Sequence, residues 1–278
     1  MSDILKVNRQ NFSLAQIDPE SNPGFAGKKL DGQATLKNRE VELAELQERL
    51  YAASKGGAQN SVLLIVQGMD TSGKGGIMRH VVGQVDPQGV KIKAFKAPTE
   101  TEKKEHFLAR IERELPGPGI IGVFDRSHYE DVLIHRVHNW ADPETLNRRY
   151  EEIREFEAKL LDRDITPIKV MLHISPEEQK TRLLERLDSP EKHWKFNPGD
   201  IDERAHWKKY LEAYELAIKE TSTDAAPWYV IPANKKWFAR LAVQDILIQT
   251  LRSINPQWPT ADFDVEHERN RLLKQGEL

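Results

Sequence analysis

From Ser61 onward the chain alternates short apolar blocks with longer stretches in which apolar residues recur at helical spacing. The blocks SVLLIVQ (61–67), VKIKAFK (90–96), IIGVFD (120–125), PIKVMLHI (167–174) and WYVIPA (228–233) predict five strands. The first is apolar without interruption, the pattern of a strand covered by helices on both sheet faces. Helices are predicted over 36–54, 74–85, 100–115, 143–163, 175–187, 200–221 and 236–253, with 188–199 an irregular loop. Ser175 followed by Pro176 is a good helix start, because the hydroxyl caps free N–H groups and proline needs none. Strands alternating with helices give an α/β fold: a three-layer sandwich around a mainly parallel five-stranded sheet. The expected organisation is an irregular N-terminal arm (1–35), one domain (36–255) and a C-terminal tail (256–278).

Composition narrows the chemistry. The 278 residues contain no cysteine, which excludes disulfides, thiolate catalysis and cysteine-based zinc sites. A net charge of −3 gives no support to general nucleic-acid binding. The N-terminus lacks a signal-peptide core, and no apolar run approaches the roughly 18 residues a membrane span needs. A soluble cytoplasmic protein with no membrane partner is expected. A polyanionic ligand would need a local cluster of Lys and Arg.

One stretch carries a specific signal. GMDTSGKGG (68–76) lies between the first strand and the next helix. Gly68, four residues, then Gly73-Lys74 is the spacing of a phosphate-binding loop. Its glycines let backbone N–H groups converge on an anion, the helix adds its positive end, and the lysine reaches terminal phosphates. The common loop places Ser or Thr after the lysine to help hold Mg²⁺; here Gly75 stands there. Thr71 and Ser72 offer hydroxyls inside the loop. Asp70 is the better candidate, since a carboxylate among phosphates repels them unless a divalent cation lies between. Its plain alternative is a turn stabiliser.

Asp125 stands at the carboxyl end of the third strand, the sheet edge where doubly wound folds bind ligands and where phosphoryl-transfer enzymes place a Mg²⁺-holding aspartate. Arg126 follows, suited to a transferring phosphoryl group. Among the other basic residues, Lys96 near the end of the second strand is the one kept as a phosphate ligand. His128 beside Glu130 and Asp131, and the pair His135 and His138, are weak metal signals. They are read as a hydrogen-bonded loop and as neutral helix-surface histidines. Trp207, Tyr210 and Tyr214 fall at core-facing helical spacing and are read as packing.

Taken in order, GMDTSGKGG, FDRSHYEDV, RLLERLDSPEKHWKFNPGD and APWYVIPANKKWFAR resemble the family-2 polyphosphate kinases, over roughly residues 35–255. The resemblance implies a P-loop kinase-like fold similar to thymidylate kinase. It implies reversible, Mg²⁺-dependent phosphoryl transfer between inorganic polyphosphate and a nucleotide, ADP or AMP, with ATP among the nucleotides handled. Gly68, Thr71, Ser72, Gly73, Gly75 and Lys96 would bind phosphate, with Lys74 and Arg126 holding the reacting groups and Asp70 and Asp125 holding the metal. The family's basic lid maps onto 182–200. Arg182 and Arg186, one helical turn apart, would clamp the transferring group, and closure would exclude water. An exposed, salt-bridged helix face is the alternative for these two arginines. Trp194 fits either base stacking or lid anchoring. The segments DPQGVKIKAFKAPT and RSHYEDVLIHRVH look most like the subgroup that uses both AMP and ADP. A homo-oligomer is expected. The rivals are an ATP-dependent kinase of a nucleoside monophosphate or other small acceptor, and a nucleotide-binding regulator without turnover.

Overall fold

The computed structural model describes residues 1–275; residues 276–278 of the expected tail lie outside the described residues. The elements run α1 (Ser2–Leu5), α2 (Lys29–Asn38), α3 (Glu40–Lys55), β1 (Ser61–Gly68), α4 (Lys74–His80), β2 (Val90–Ala94), α5 (Ala109–Glu112) and β3 (Ile121–Asp125). They continue with α6 (Glu130–Val137), α7 (Pro143–Leu161), β4 (Ile165–His173), α8 (Pro176–Leu187), α9 (Gly199–Arg204), α10 (Trp207–Thr221), β5 (Trp228–Pro232), α11 (Lys236–Ile254) and α12 (Val265–Leu273). The five strands lie in the order β2-β3-β1-β4-β5, and every neighbouring pair is parallel.

β1 sits at the centre with all eight residues buried. Its side chains alternate between two cores. Val62, Leu64 and Val66 pack with Leu43 and Leu50 of α3, Ile77 of α4 and the apolar face of α11. Leu63 and Ile65 pack on the other face with Val132 of α6, Tyr150 and Ile153 of α7, and Ala217 of α10. Hence the uninterrupted apolar run: each face of the strand meets a helical layer.

Several boundaries differ from the sequence reading. The helix expected over 36–54 is two helices, and the first begins at Lys29, within the segment read as an irregular arm. The charged stretch 100–115 is a 3-10 turn at 102–104 and the single turn of α5, not a continuous helix. Its charges bind one another locally, as in Lys103–Glu100 and Arg113–Glu105, and Pro98 and Pro116 bracket it. The helix expected over 200–221 is broken between Arg204 and Trp207. The first residues are not loose: Leu5 and Leu14 are buried, and Val7 donates its N–H to the Trp228 carbonyl. No helix among the described residues is long and apolar enough to cross a membrane.

His173 ends β4 in a buried position, and burial holds its imidazole down at about 4 against an ordinary 6.5. Between those values the unfolded chain takes up a proton that the folded chain refuses. Stability is therefore lost as pH falls from 6.5 towards 4, by about 3 kcal/mol at most. Asp131, pushed up by burial to about 6 from an ordinary 3.8, works in the opposite sense from about pH 6 down through the rest of this range. Acidification from neutral pH to about 4.5 is expected to lower the Tm of the wild-type chain more than that of His173→Gln. Equal losses in the two proteins would refute the assignment to His173.

Candidate active site

The loop between β1 and α4 lies at the carboxyl edge of the sheet, beside the end of β3. Its path requires unusual backbone. Gly68 has φ 149°, and a Cβ there would lie 2.6 Å from Ser72 Oγ and 2.8 Å from the Leu172 carbonyl. Gly73 has φ 117°. Two residues with side chains, Thr71 and Arg126, also sit in the left-handed region at φ 64°. Such conformations are costly outside glycine and concentrate where geometry serves a ligand. Gly75 is different. A Cβ there would meet nothing within 4 Å, so open space rather than crowding surrounds this position.

Eleven of the twelve predicted site residues line one open cavity of about 600 Å³: Asp70, Thr71, Ser72, Gly73, Lys74, Gly75, Lys96, Asp125, Arg126, Arg182 and Arg186. The twelfth, Gly68, faces a smaller neighbouring cavity, and its carbonyl accepts from Lys74 Nζ at 2.7 Å. Lys74 also reaches the Met69 carbonyl at 3.3 Å. Burial pulls the Lys74 ammonium below its ordinary value, and the nearby Asp70 carboxylate pulls it back. The lysine is thus folded back on its own loop.

Arg126 Nη2 donates to Asp70 Oδ1 at 2.8 Å, so the second acidic segment and the phosphate loop meet directly. Burial opposes the Arg126 charge, but Glu130 and Asp70 outweigh it and hold the guanidinium above its ordinary range. Glu130 is half-buried, and desolvation raises its carboxyl above the usual value, while Arg126 and Lys74 oppose that rise. The sequence reading left Glu130 as one member of a loop cluster. In the structure it stands at the first turn of α6 and lines the same small cavity as Asp70 and Arg126.

The two lid arginines are placed differently from expectation. Arg182 is 4% exposed, which removes the exposed-face alternative. It is not free to clamp a ligand either: Nε donates to Glu178, Nη1 to the Thr71 and Ser72 carbonyls, and Nη2 to the Ala233 and Asn234 carbonyls. All five N–H groups of its guanidinium are therefore engaged. Arg186 is tied within the lid, to the Lys195 carbonyl at 2.9 Å and to Asp200 at 3.3 Å. Trp194 is exposed, with Lys195 over its ring at 4.9 Å, so it anchors nothing in the core.

Other cavity residues escaped the sequence reading. Arg79 and His80 end α4, and Lys236 and Arg240 lie one turn apart on α11. Burial, with Arg240 and Arg79 adding to it, lowers the His80 imidazole below its ordinary value. Arg240 is itself lowered by burial and by Arg182 and Arg79. The four-residue spacing of Lys236 and Arg240 was the available signal, hidden inside a largely apolar helix.

The smaller cavity, about 320 Å³, shares Asp70 and Arg126 with the first but is otherwise lined by Glu130, Asp200, Glu203, Tyr210 and their neighbours. Tyr214 is buried as expected for packing, yet it and Tyr210 also face this space. His138 is not an isolated surface histidine: its Nε2 lies 3.0 Å from Glu203, which also accepts from Tyr210 at 2.6 Å. His135 sits 3.6 Å from Asp131. Neither histidine belongs to a metal-holding cluster; no group of three or more His, Asp or Glu residues suited to a metal occurs among the described residues.

Beside the phosphate loop the cavity offers a metal the carboxylates Asp70 and Asp125, and the loop adds two buried hydroxyls, Thr71 Oγ1 and Ser72 Oγ, that have no hydrogen-bond partner among the described residues. This sparse set suits Mg²⁺, which keeps several waters and is bound through one or two carboxylates plus substrate phosphates.

Known proteins resemble this chain over most of its length. Residues 27–259 match the polyphosphate kinase 2 family. The AMP/ADP-polyphosphate phosphotransferase of Meiothermus ruber is 46% identical over 251 residues, covering 89% of this chain and 91% of that protein. The ADP-polyphosphate phosphotransferase of Rhodopseudomonas palustris is 42% identical, covering 81% of this chain and 80% of its own. The crystal structure of polyphosphate kinase 2 from Arthrobacter aurescens superposes with a TM-score of 0.96 at 55% identity, covering 98% of this chain and 96% of that one. With the loop, the strand-end aspartate and the basic cavity in place, this chain belongs to the polyphosphate kinase 2 family.

Proposed function

We propose that the protein transfers phosphoryl groups between inorganic polyphosphate and a nucleoside mono- or diphosphate, at the cavity where the phosphate loop meets Asp125 and Arg126. One observation carries this reading. Ten Lys and Arg side chains line the larger cavity against three carboxylates, Asp70, Asp125 and Glu185. That excess sits in a chain of net charge −3. Four of the ten are paired with carboxylates, Arg126, Arg182, Arg186 and Lys236, and the other six have no such partner among the described residues. Cations crowded beyond their counter-charges are unfavourable unless a polyanion occupies them, and a single phosphate would not need so many. The smaller cavity, rich in carboxylates, would repel a polyanion and suits the hydroxyls and amino groups of a nucleoside. The two cavities meet at Asp70 and Arg126, which places the transfer point between them.

In this reading Lys74 leaves the Gly68 and Met69 carbonyls for the phosphates, and Arg126 keeps the acceptor phosphate in line. Lys96, Lys192 and Lys195 hold the rest of the donor chain. Mg²⁺ held by Asp70 and Asp125 would neutralise charge on the phosphates. No covalent protein intermediate is needed, because positioning and electrostatics do most of the work in phosphoryl transfer. Arg186 can turn to the donor by releasing Asp200, whose carboxyl is raised by burial and by Asp70. The homo-oligomer and the cytoplasmic location expected from the sequence are carried in the same reading, with a domain extended to include α2.

The test is purified protein with Mg²⁺ and polyphosphate, offered AMP and ADP in separate reactions, with products resolved by chromatography. Polyphosphate-dependent formation of ADP or ATP is expected, and removing Mg²⁺ by chelation should stop it. Transfer only from ATP to a small acceptor, with polyphosphate inert, would overturn the reading. Within it, replacing Lys192 and Lys195 together by Ser is expected to raise KM for polyphosphate about tenfold with little change in kcat. The difference should shrink as salt rises, since exposed charges are screened.

A further inference from the structure

Arg182 does two things at once, and neither is phosphate binding in this structure. Its Nη1 holds the carbonyls of Thr71 and Ser72, both at 2.9 Å. A trans peptide is planar, with C=O and N–H pointing opposite ways. Fixing the Ser72 carbonyl therefore fixes the direction of the Gly73 N–H in the phosphate loop. Its Nη2 holds the carbonyls of Ala233 and Asn234, at 2.7 and 2.9 Å. The guanidinium is thus a rigid bracket between the loop and the turn that leads from β5 into α11.

That turn is itself held from outside the site. Asn234 donates its N–H to the Pro19 carbonyl at 3.2 Å, and Lys235 Nζ donates to Asn22 Oδ1 at 2.9 Å. Asn22 is fixed in turn by donating Nδ2 to the Phe25 carbonyl at 2.7 Å, and the Phe25 ring packs edge-on against Trp237 at 5.7 Å. Ser175 supplies the remaining anchor, donating its N–H to Asn234 Oδ1 at 2.9 Å. A continuous chain of hydrogen bonds runs from the N-terminal segment through Asn234 and Arg182 to the phosphate loop.

We infer that Arg182 is a positioning residue and that the segment Pro19–Phe25 belongs to the same device, setting the geometry of the phosphate loop from outside the cavity. The kinetic part of the test rests on the function proposed above. The variants are Asn22→Ala, which touches no cavity residue, Arg182→Lys, and the two combined, all in the full chain. A lysine has three N–H groups and no planar fork, so it cannot bracket four carbonyls. Arg182→Lys is expected to lower kcat about a hundredfold. Asn22→Ala should lower kcat several-fold, with KM for polyphosphate within twofold. The combined variant should be no worse than Arg182→Lys alone, because Asn22 acts on the loop only through the turn that Arg182 brackets. In the ligand-free protein, amide hydrogen exchange over residues 68–76 should be faster in both single variants.

Additive effects of the two changes would overturn the inference. So would an Asn22→Ala protein with lowered Tm but unchanged kcat and loop exchange, which would make the segment merely structural. Arg182→Lys with raised KM, unchanged kcat and unchanged loop exchange would make Arg182 a direct ligand of the donor. The exchange measurement needs no turnover. If the wild-type chain shows no polyphosphate-dependent transfer while the loop still loosens in both variants, the functional reading fails and the positioning device stands.

Discussion

Lys74→Ala is expected to lower polyphosphate-dependent turnover by about a thousandfold, the scale of losing a principal charge stabiliser in the transition state, while the protein stays folded. The two halves of this expectation come from different observations. The ammonium is the charge at the head of the loop, poised on carbonyls it can exchange for phosphate oxygens. Little of the fold is expected to depend on it, because burial disfavours the charged form and the side chain's hydrogen bonds are to two carbonyls of its own loop. Circular dichroism and Tm check the second half; initial rates with saturating donor check the first. A variant that keeps near-wild-type turnover would remove Lys74 from the mechanism. One that no longer folds would show the lysine to be structural.

The largest effect on stability is expected elsewhere. Lys169 on β4 and Glu157 on α7 form an ion pair of 2.6 Å, with side chains 0% and 1% exposed. Lys169 also donates to the Thr221 carbonyl at 2.8 Å, and Tyr129 Oη donates to Glu157 at 2.6 Å. Burial pulls Lys169 down, and Glu157 opposes that shift. Burial would raise Glu157, yet Lys169 and His128 hold it below its ordinary value. Each group thus offsets the cost of burying the other. Lys169→Met leaves the Glu157 carboxylate buried without its cation, at a cost of about 3–5 kcal/mol, or roughly 10 °C in Tm. Lys169→Met combined with Glu157→Leu should recover much of that loss, since neither charge then remains. A single variant as stable as wild type, or a double variant much worse than the single, would contradict this account. Tyr129 stands three residues after Arg126, so the single change should also reduce activity at temperatures where the protein is still folded.

The sheet was legible because its strands are short apolar runs whose periodicity does not depend on remote partners. SVLLIVQ needed only its own composition to be placed in a sheet covered by helices on both faces. The charged stretch 100–115 was misread because charge alternation supports a helix on paper, and only the tertiary setting shows those charges paired across turns. The site was legible where function lies in contiguous residues: the loop, and Asp125 with Arg126. Residues brought in by α11 were not, since Arg240 meets the loop only through the crossover after β5. Arg182 shows a subtler limit. Its residue type and position indicated the site, but an arginine that binds phosphate and one that binds four carbonyls look the same in sequence. The lysine at 169 gave no signal beyond a charge in a strand.

The central place of β1 also bears on how the chain assembles. The strand that carries the phosphate loop ends at residue 68, yet its two hydrogen-bonding neighbours begin at residues 121 and 165. Neither edge of this apolar ribbon can be satisfied by anything synthesised in the following fifty residues. A nascent chain released before about residue 173 would present the β4-facing side of β1 unpaired. Parallel pairings at such separations form slowly and leave adhesive edges in the meantime. Truncated chains ending between β3 and β4 are accordingly expected to aggregate, and folding of the intact chain to become cooperative only after β4 has been made.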